Sequence, residues 1–170
     1  MADSGILFKN FALLDVESGT VKNGHQVLVR DGRIAAVEHG AINAEGALEI
    51  DLGGRTLMPG LIDCHVHIHP LILPTTPQML PSLITAHALS TLEGMLLRGF
   101  TTVRDAGGAD AGHRQAVEHG IFRGPRLFVA GRAISQTGGH GDPRTSANQF
   151  EPCECAAHLS GFGLGRIADG

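Results

Sequence analysis

One short segment repeats polar, chemically active residues at every second position. These residues are Asp63, His65, His67 and His69. The stretch Leu61–Ile68 has the composition of a β-strand, and successive side chains of a strand point to opposite faces. We therefore expect the four polar side chains on one face of the strand. The residues between them are expected on the other face: Ile62, Cys64, Val66 and Ile68.

Two imidazoles at positions i and i+2 of a strand can converge on one divalent ion, which zinc binds at about 2.0–2.1 Å from each nitrogen. This spacing predicts that His65 and His67 are metal ligands and that the metal is divalent, with Zn²⁺ the expected ion. A His-x-His pair also occurs by chance on exposed strands. The apolar opposite face and the preceding Pro59-Gly60 favour the metal site.

Three further residues are candidates for supporting roles near this pair. Asp63 can hydrogen-bond a ligand imidazole and orient it, as carboxylates around metal sites often do. His69 is expected just beyond the end of the strand, where it supports the ligands instead of binding the metal. Asp105 ends the second predicted strand, and it either enters the site or bonds to Arg104 or to its own loop.

His140 is the candidate for contact with a substrate. It follows the third predicted strand and lies between glycines, which let backbone approach a ligand closely. The alternative is a loop histidine with ordinary hydrogen bonds.

Two other motifs carry less weight. Cys153-Glu154-Cys155 with His158 lacks the usual zinc-binding spacing, and the glycines of 161–165 have no preceding strand or following lysine.

The first 57 residues are predicted to form short strands. Asp31-Gly32 lies between the β-rich runs 26–30 and 33–37, and such a pair supplies the positive φ angles of a tight hairpin turn. Further strands are expected at 6–8, 48–52 and 55–57. The pattern predicts a small antiparallel β unit.

Residues 58–170 alternate between strand and helix patterns. A helix is predicted from Ser82, as N-cap, to Arg98, with apolar residues at helical spacing at 89, 92, 95 and 96, and another from His113 to Phe122. Strands are expected at 61–68, 100–103 and 126–130, and a loop-like segment from Ile134 onward. Such alternation implies parallel β-α-β units. A complete β/α barrel takes about 250 residues, so the chain is either an open three-strand sheet or a fragment.

Composition excludes several classes of function. The net charge is −4 and no basic block is present, which argues against nucleic-acid binding. No apolar run approaches the roughly 20 residues of a membrane helix, and the start of the chain lacks the features of a signal peptide. Three cysteines, two of them separated by a single residue, do not form a disulfide framework. We expect a cytoplasmic protein.

The sequence resembles the amidohydrolase superfamily. Met58–His67 is similar to its first-strand signature, and residues 99–108 and 138–142 resemble the imidazolonepropionase-like branch, which includes prolidases and Xaa-Arg or Xaa-Lys carboxypeptidases. The resemblance implies an α/β fold: the N-terminal part of a small β-sandwich in residues 1–57, then the opening of an incomplete TIM barrel in residues 58–170.

The resemblance also implies a mechanism and its residues. His65 and His67 match two ligands of a site with one or two metal ions, and His140 matches a contact to a substrate carboxylate. The family's bridging lysine is missing, since Lys9 and Lys22 both precede the first barrel strand. The aspartate that acts as general base is expected downstream, so no catalytic residue is assigned within this chain.

The implied activity is metal-dependent hydrolysis of a peptide-like carbon–nitrogen bond in a small molecule, with a dipeptide or an N-acyl amino acid as the favoured substrate. Homo-oligomerisation stays open. The alternatives are a non-catalytic metal- or ligand-binding half-barrel and a truncated product with no role of its own.

Overall fold

The chain divides into two compact units between Pro59 and Gly60. The boundary expected from the sequence, between residues 57 and 58, lies two residues earlier. The computed structural model describes residues 5–69, 80–139 and 142, together with the backbone of residues 166–167.

The described part of the first unit consists of short strands in two sheets. The four-stranded sheet has the order β5-β4-β1-β6 and the three-stranded sheet the order β3-β2-β7. The strands are β1 (Ile6–Lys9), β2 (Ala12–Asp15), β3 (Thr20–Lys22), β4 (His25–Arg30), β5 (Arg33–His39), β6 (Leu48–Asp51) and β7 (Thr56–Leu57). The sequence pattern did not predict β2 and β3.

The hairpin around Asp31-Gly32 is confirmed. Strands β4 and β5 pair antiparallel, and Asp31 and Gly32 have φ angles of 51° and 67°. Strands β1 and β4 and strands β2 and β3 also pair antiparallel, but the prediction that the whole unit is antiparallel is wrong. Strand β1 pairs in parallel with β6, and β2 pairs in parallel with β7. These pairings join strands about forty residues apart, which no local pattern reports.

The second unit contains a parallel sheet with helices between its strands, as predicted. Its elements are β8 (Leu61–Val66), α1 (Pro81–Leu97), β9 (Phe100–Asp105), α2 (Ala111–Glu118) and β10 (Arg126–Val129). The sheet order is β10-β9-β8, and both pairings are parallel. The loop prediction from Ile134 onward is wrong at two places, because β11 (Ile134–Ser135) pairs in parallel with β12 (Arg166–Ile167).

The core of this unit lies between the sheet and α1. Helix α1 buries Ile84, Ala88 and Leu92, while the predicted Leu89, Met95 and Leu96 are only half-buried. Fully burying a large apolar side chain such as Ile84 or Leu92 contributes about 1.5–3 kcal/mol of transfer free energy. The buried cluster consists of Val66, Ile68, Ala88, Leu92, Val103, Ala109 and Leu127.

The N-terminus of α1 differs from the prediction. The N-cap is Leu80, not Ser82, and it makes no capping hydrogen bond through its side chain. Pro81 occupies the first helical position, where its missing N–H costs nothing. At the other end Gly99 follows the helix with a φ angle of 93°, as its expected stop role requires. No described helix has the length and apolar character needed to span a membrane.

Candidate metal centre

Strand β8 lies close to β9 at the Pro-Gly step before the histidines. The Leu61 amide donates to the Gly99 carbonyl at 2.8 Å. A Cβ atom at Gly60 would overlap the side chain of Thr101, with only 2.6 Å to its Cβ. Glycine is therefore required here by close packing, which explains the second residue of the Pro59-Gly60 step.

The regular pairing of β8 with β9 is interrupted between Asp63 and Val66, a stretch that includes His65. Asp63 pairs with Val103 and Val66 pairs with Asp105, so β8 gains one residue over β9 between these positions. The Asp63 carboxylate accepts a hydrogen bond from the His65 backbone amide at 3.0 Å. The expectation that Asp63 and the histidines follow one unbroken alternation is therefore wrong, since the bulge begins after Asp63 and includes His65. Asp63 contacts the backbone of His65, and its proposed contact to an imidazole stays a prediction.

His65 lies within this bulge and His67 follows the end of β8, and their two rings lie side by side. Their ring centroids are 5.4 Å apart and their planes are inclined by 80°. His65 is exposed and His67 is half-buried. An ion bound to one nitrogen of each ring would place the two centroids about 5 Å apart. The donor type and the spacing of the pair thus fit one divalent cation.

The tautomer of His67 follows from its hydrogen bond. Nδ1 lies 3.0 Å from the carbonyl oxygen of Gly107, and a carbonyl only accepts, so Nδ1 carries the proton. In the neutral ring Nε2 is then the unprotonated nitrogen, which is the form that binds a metal. The sequence offered no signal for Gly107, because the contact joins residues 40 positions apart.

His69 contacts a histidine of helix α2. It lies beyond the end of β8, as expected, and only 3% of its surface is exposed. Its Nε2 lies 3.2 Å from Nε2 of His113, a residue for which the sequence predicted no role. His69 thus lies next to the pair in sequence but contacts helix α2, and its proposed support of the metal ligands stays a prediction.

Asp110 determines the tautomer of His113. Its Oδ1 lies 2.7 Å from His113 Nδ1, and the Asp110 amide lies 3.4 Å from the same nitrogen. The shorter, charge-assisted bond prevails, so Nδ1 donates to the carboxylate. In the neutral His113 ring, Nε2 is then the acceptor and His69 Nε2 the donor of the contact between them. Burial raises the pKa of Asp110, but the hydrogen bonds from the His113 side chain and amide outweigh it and leave that pKa below its usual value.

Asp105 is fully buried at the end of β9. Its Oδ2 accepts from the Ile68 amide at 2.8 Å, and its Oδ1 accepts from Gly107 and Ala109 amides at 2.9 and 3.1 Å. The sequence left open whether Asp105 enters the site or bonds to a neighbour, and these contacts match a bond to its own loop. Arg104 points elsewhere and donates to the Cys64 carbonyl at 2.7 Å.

Several predicted residues lie outside the described part of the chain. They are His140, Cys153, Cys155, His158 and residues 161–165. Among the described residues, no group of three His, Cys, Asp or Glu side chains forms a cluster able to hold a metal. Among the described residues, the candidate ligands therefore amount to the pair His65 and His67.

Solved structures of similar fold cover nearly all of this chain. An amidohydrolase is 46% identical, and a prolidase complexed with N-methylphosphonate-L-proline is 41% identical. Each has a TM-score of 0.87, and each match covers 98% of this chain and 41% of the solved chain. The imidazolonepropionase of Klebsiella pneumoniae is 54% identical over 44 residues, which is 26% of this chain and 11% of the relative. The chain thus spans well under half the length of these relatives.

The amidohydrolase family model matches residues 56–159. The match begins just before β8 and includes the His65–His67 pair, so it covers the segment on which the sequence-based assignment rested. The chain therefore belongs to the amidohydrolase family.

Proposed function

We propose that His65 and His67 are the two-histidine part of a divalent-metal site in a hydrolase that cleaves a peptide-like carbon–nitrogen bond. The arrangement of the two rings carries this proposal: they lie 5.4 Å apart, and the Gly107 carbonyl selects the metal-binding tautomer of His67. We propose Zn²⁺ as the ion, since imidazole nitrogen suits zinc.

The favoured substrate class is a dipeptide or an N-acyl amino acid. The support is the similarity to the solved prolidase, at 41% identity over 98% of this chain. A negatively charged chain without a basic block also fits a small-molecule substrate better than a nucleic acid. His140 is proposed to contact the substrate's carboxylate.

The chain's own residues contribute positioning. A bound divalent ion supplies Lewis acidity and lowers the pKa of water at the site. His65 and His67 would hold it, while the Asp63 carboxylate fixes the backbone of His65 at the bulge. Proton transfer to the leaving amine is assigned to no residue of this chain.

We further propose that residues 1–57 form part of a small β-sandwich and residues 58–170 the opening of a TIM barrel. The two sheets of the first unit and the parallel order β10-β9-β8 support this proposal. A cytoplasmic location is proposed as well, because Cys64 is an exposed free thiol.

The test is zinc binding by the double variant His65→Ala/His67→Ala. The unsubstituted chain is expected to bind Zn²⁺ with a defined stoichiometry in competition with a chromophoric chelator, and the double variant is expected to lose that binding. The matched control is His87→Ala/His119→Ala, which removes two exposed imidazoles from other elements. Zinc retained at full stoichiometry in the first variant would contradict the site.

Turnover separates the enzyme from the non-catalytic alternative. Hydrolysis of Xaa-Pro and Xaa-Arg dipeptides is measured with added Zn²⁺. Hydrolysis that disappears in the His65→Ala/His67→Ala variant supports a hydrolase. Zinc binding without turnover instead favours the non-catalytic metal-binding half-barrel.

A further inference from the structure

We infer that Asp105 is the positioning residue of His67. It acts through two backbone segments, the one that carries His67 and the loop whose carbonyl accepts from the His67 ring. This inference rests on the proposed role of His67 as a metal ligand. Asp105 touches neither His67 itself nor any atom expected to bind the metal. Its three hydrogen bonds go to the backbone of Ile68, Gly107 and Ala109.

One oxygen of Asp105 fixes the backbone next to His67. Oδ2 accepts from the Ile68 amide at 2.8 Å, and that amide belongs to the peptide that follows His67. The neighbouring Val66 carbonyl accepts from the Ala106 amide at 3.0 Å. The backbone is therefore tied to the end of β9 directly before and directly after His67, beyond the point where β8 ends.

The other oxygen fixes the group that orients the ring. Oδ1 accepts from the Gly107 amide at 2.9 Å and from the Ala109 amide at 3.1 Å. The carbonyl of the same Gly107 accepts the proton of His67 Nδ1. One carboxylate thus holds both the backbone that carries His67 and the loop that selects its tautomer.

Burial makes an unpaired carboxylate at this position costly in free energy. Asp105 is 0% exposed, and a buried carboxylate is stable only when hydrogen bonds replace water. Three amides fulfil that requirement here. Asparagine at this position keeps the shape but has one accepting oxygen, and its NH₂ group would face one of the amide donors. We therefore expect Asp105→Asn to release either the Ile68 side or the Gly107 side.

The test combines metal affinity with the state of the His67 ring. Asp105→Asn is expected to weaken Zn²⁺ binding by about 10–100-fold, the usual effect of losing a group that orients a ligand. The tautomer of His67 is measured by ¹⁵N NMR of the metal-free parent and variant above pH 8. The parent is expected to show the Nδ1-protonated tautomer and the Asp105→Asn variant a mixture of the two tautomers. The His67 signals are assigned with His67→Gln.

Val103→Ala is the matched control. Val103 is buried on the same strand two residues earlier, and its removal weakens packing without touching these hydrogen bonds. It should leave the His67 tautomer unchanged and zinc affinity within about threefold, well below the 10–100-fold loss for the orienting carboxylate. A folded Asp105→Asn variant with the parent's tautomer and affinity would overturn the inference, and so would equal losses in both variants.

If Asp105→Asn does not fold, the inference is tested on the unsubstituted chain by amide exchange and by the protonation of the His67 ring. Slow exchange of the Ile68 and Gly107 amides and an Nδ1-protonated His67 support the inference, while unprotected amides or an Nε2-protonated ring overturn it. The ring measurement needs no metal. If the unsubstituted chain binds no zinc, the proposed function fails while the positioning by Asp105 is still tested.

Discussion

Single atoms decide how closely β8 and β9 approach each other. Gly60 has no side chain, and the space that a Cβ would need is filled by Thr101. Its role does not depend on backbone conformation, because Gly60 is not among the residues with positive φ. The requirement for glycine is therefore steric, and it lies five residues before His65.

We predict that Gly60→Ala destabilises the second unit by about 1–3 kcal/mol, the usual cost of overpacking. The added methyl group overlaps Thr101, so either strand must shift. The measurement is the free energy of unfolding in urea.

The control is a double-mutant cycle with Thr101→Ala, which removes most of the overlapping atoms. The cost of Gly60→Ala should fall by at least about 0.5 kcal/mol in that background, as expected for residues in contact. Purely additive effects would mean that the predicted overlap does not occur.

At the scale of elements, α1 starts without a side-chain cap. Leu80 occupies the N-cap with extended φ and ψ angles of −64° and 140°, and 70% of its surface is exposed. Its backbone suits a capping residue, but its side chain has no acceptor for the first amides. Ser82, which the sequence pattern favoured as the cap, lies inside the first turn.

Leu80→Asp is therefore expected to stabilise the second unit by about 0.5–2 kcal/mol, because its carboxylate can accept from the first-turn amides and oppose the helix dipole. Thermal unfolding followed by circular dichroism measures the change. Ser82→Ala is the matched comparison and should change stability by less than about 0.5 kcal/mol. If Ser82→Ala costs as much as a lost cap, the helix begins at Ser82 after all.

At the scale of the whole molecule, carboxylates with lowered pKa values occur in both units. The Lys22 ammonium, followed by backbone and side-chain contacts of Ser18, holds the pKa of Asp15 well below its usual value of 3.8. The Gly53 amide and the Asn10 side chain lower the pKa of Asp51. The pKa of Asp110 is also below its usual value. A lowered folded pKa contributes stability above the unfolded pKa that disappears as the pH falls through the folded value.

The free energy of unfolding is accordingly expected to be steady near neutral pH and to decline below about pH 4. At the alkaline end, the hydrogen bond to Glu49 raises the pKa of Lys9. The stability that Lys9 contributes is therefore complete below its usual pKa of 10.5 and is lost as the pH rises through the folded pKa. Urea titrations at a series of pH values measure both limits.

Asp15→Asn and Lys22→Met isolate one contribution to the acid limit. Each substitution should lower the free energy of unfolding near neutral pH. On acidification, each variant should lose less of that free energy than the parent chain, since the ion pair between Lys22 and Asp15 is already absent. An acid decline in Asp15→Asn as steep as that of the parent would show that Asp15 does not contribute.

Features encoded by neighbouring residues could be predicted from the sequence. The hairpin depends on two adjacent residues that accept positive φ, Asp31 and Gly32. The strand–helix alternation of the second unit depends on local periodicity, and the amidohydrolase assignment on a contiguous motif around His65 and His67. Each of these signals lies within a few residues of the feature it predicts.

Tertiary structure alone decided the features that join distant segments. The parallel pairings of β1 with β6 and β2 with β7 made the prediction of an entirely antiparallel unit wrong. The bulge after Asp63 arises from the register against β9, and the tautomer of His67 from a carbonyl 40 residues away. A sequence pattern records which side chains a strand can present, whereas hydrogen bonds between segments determine where those side chains point and which nitrogen carries the proton.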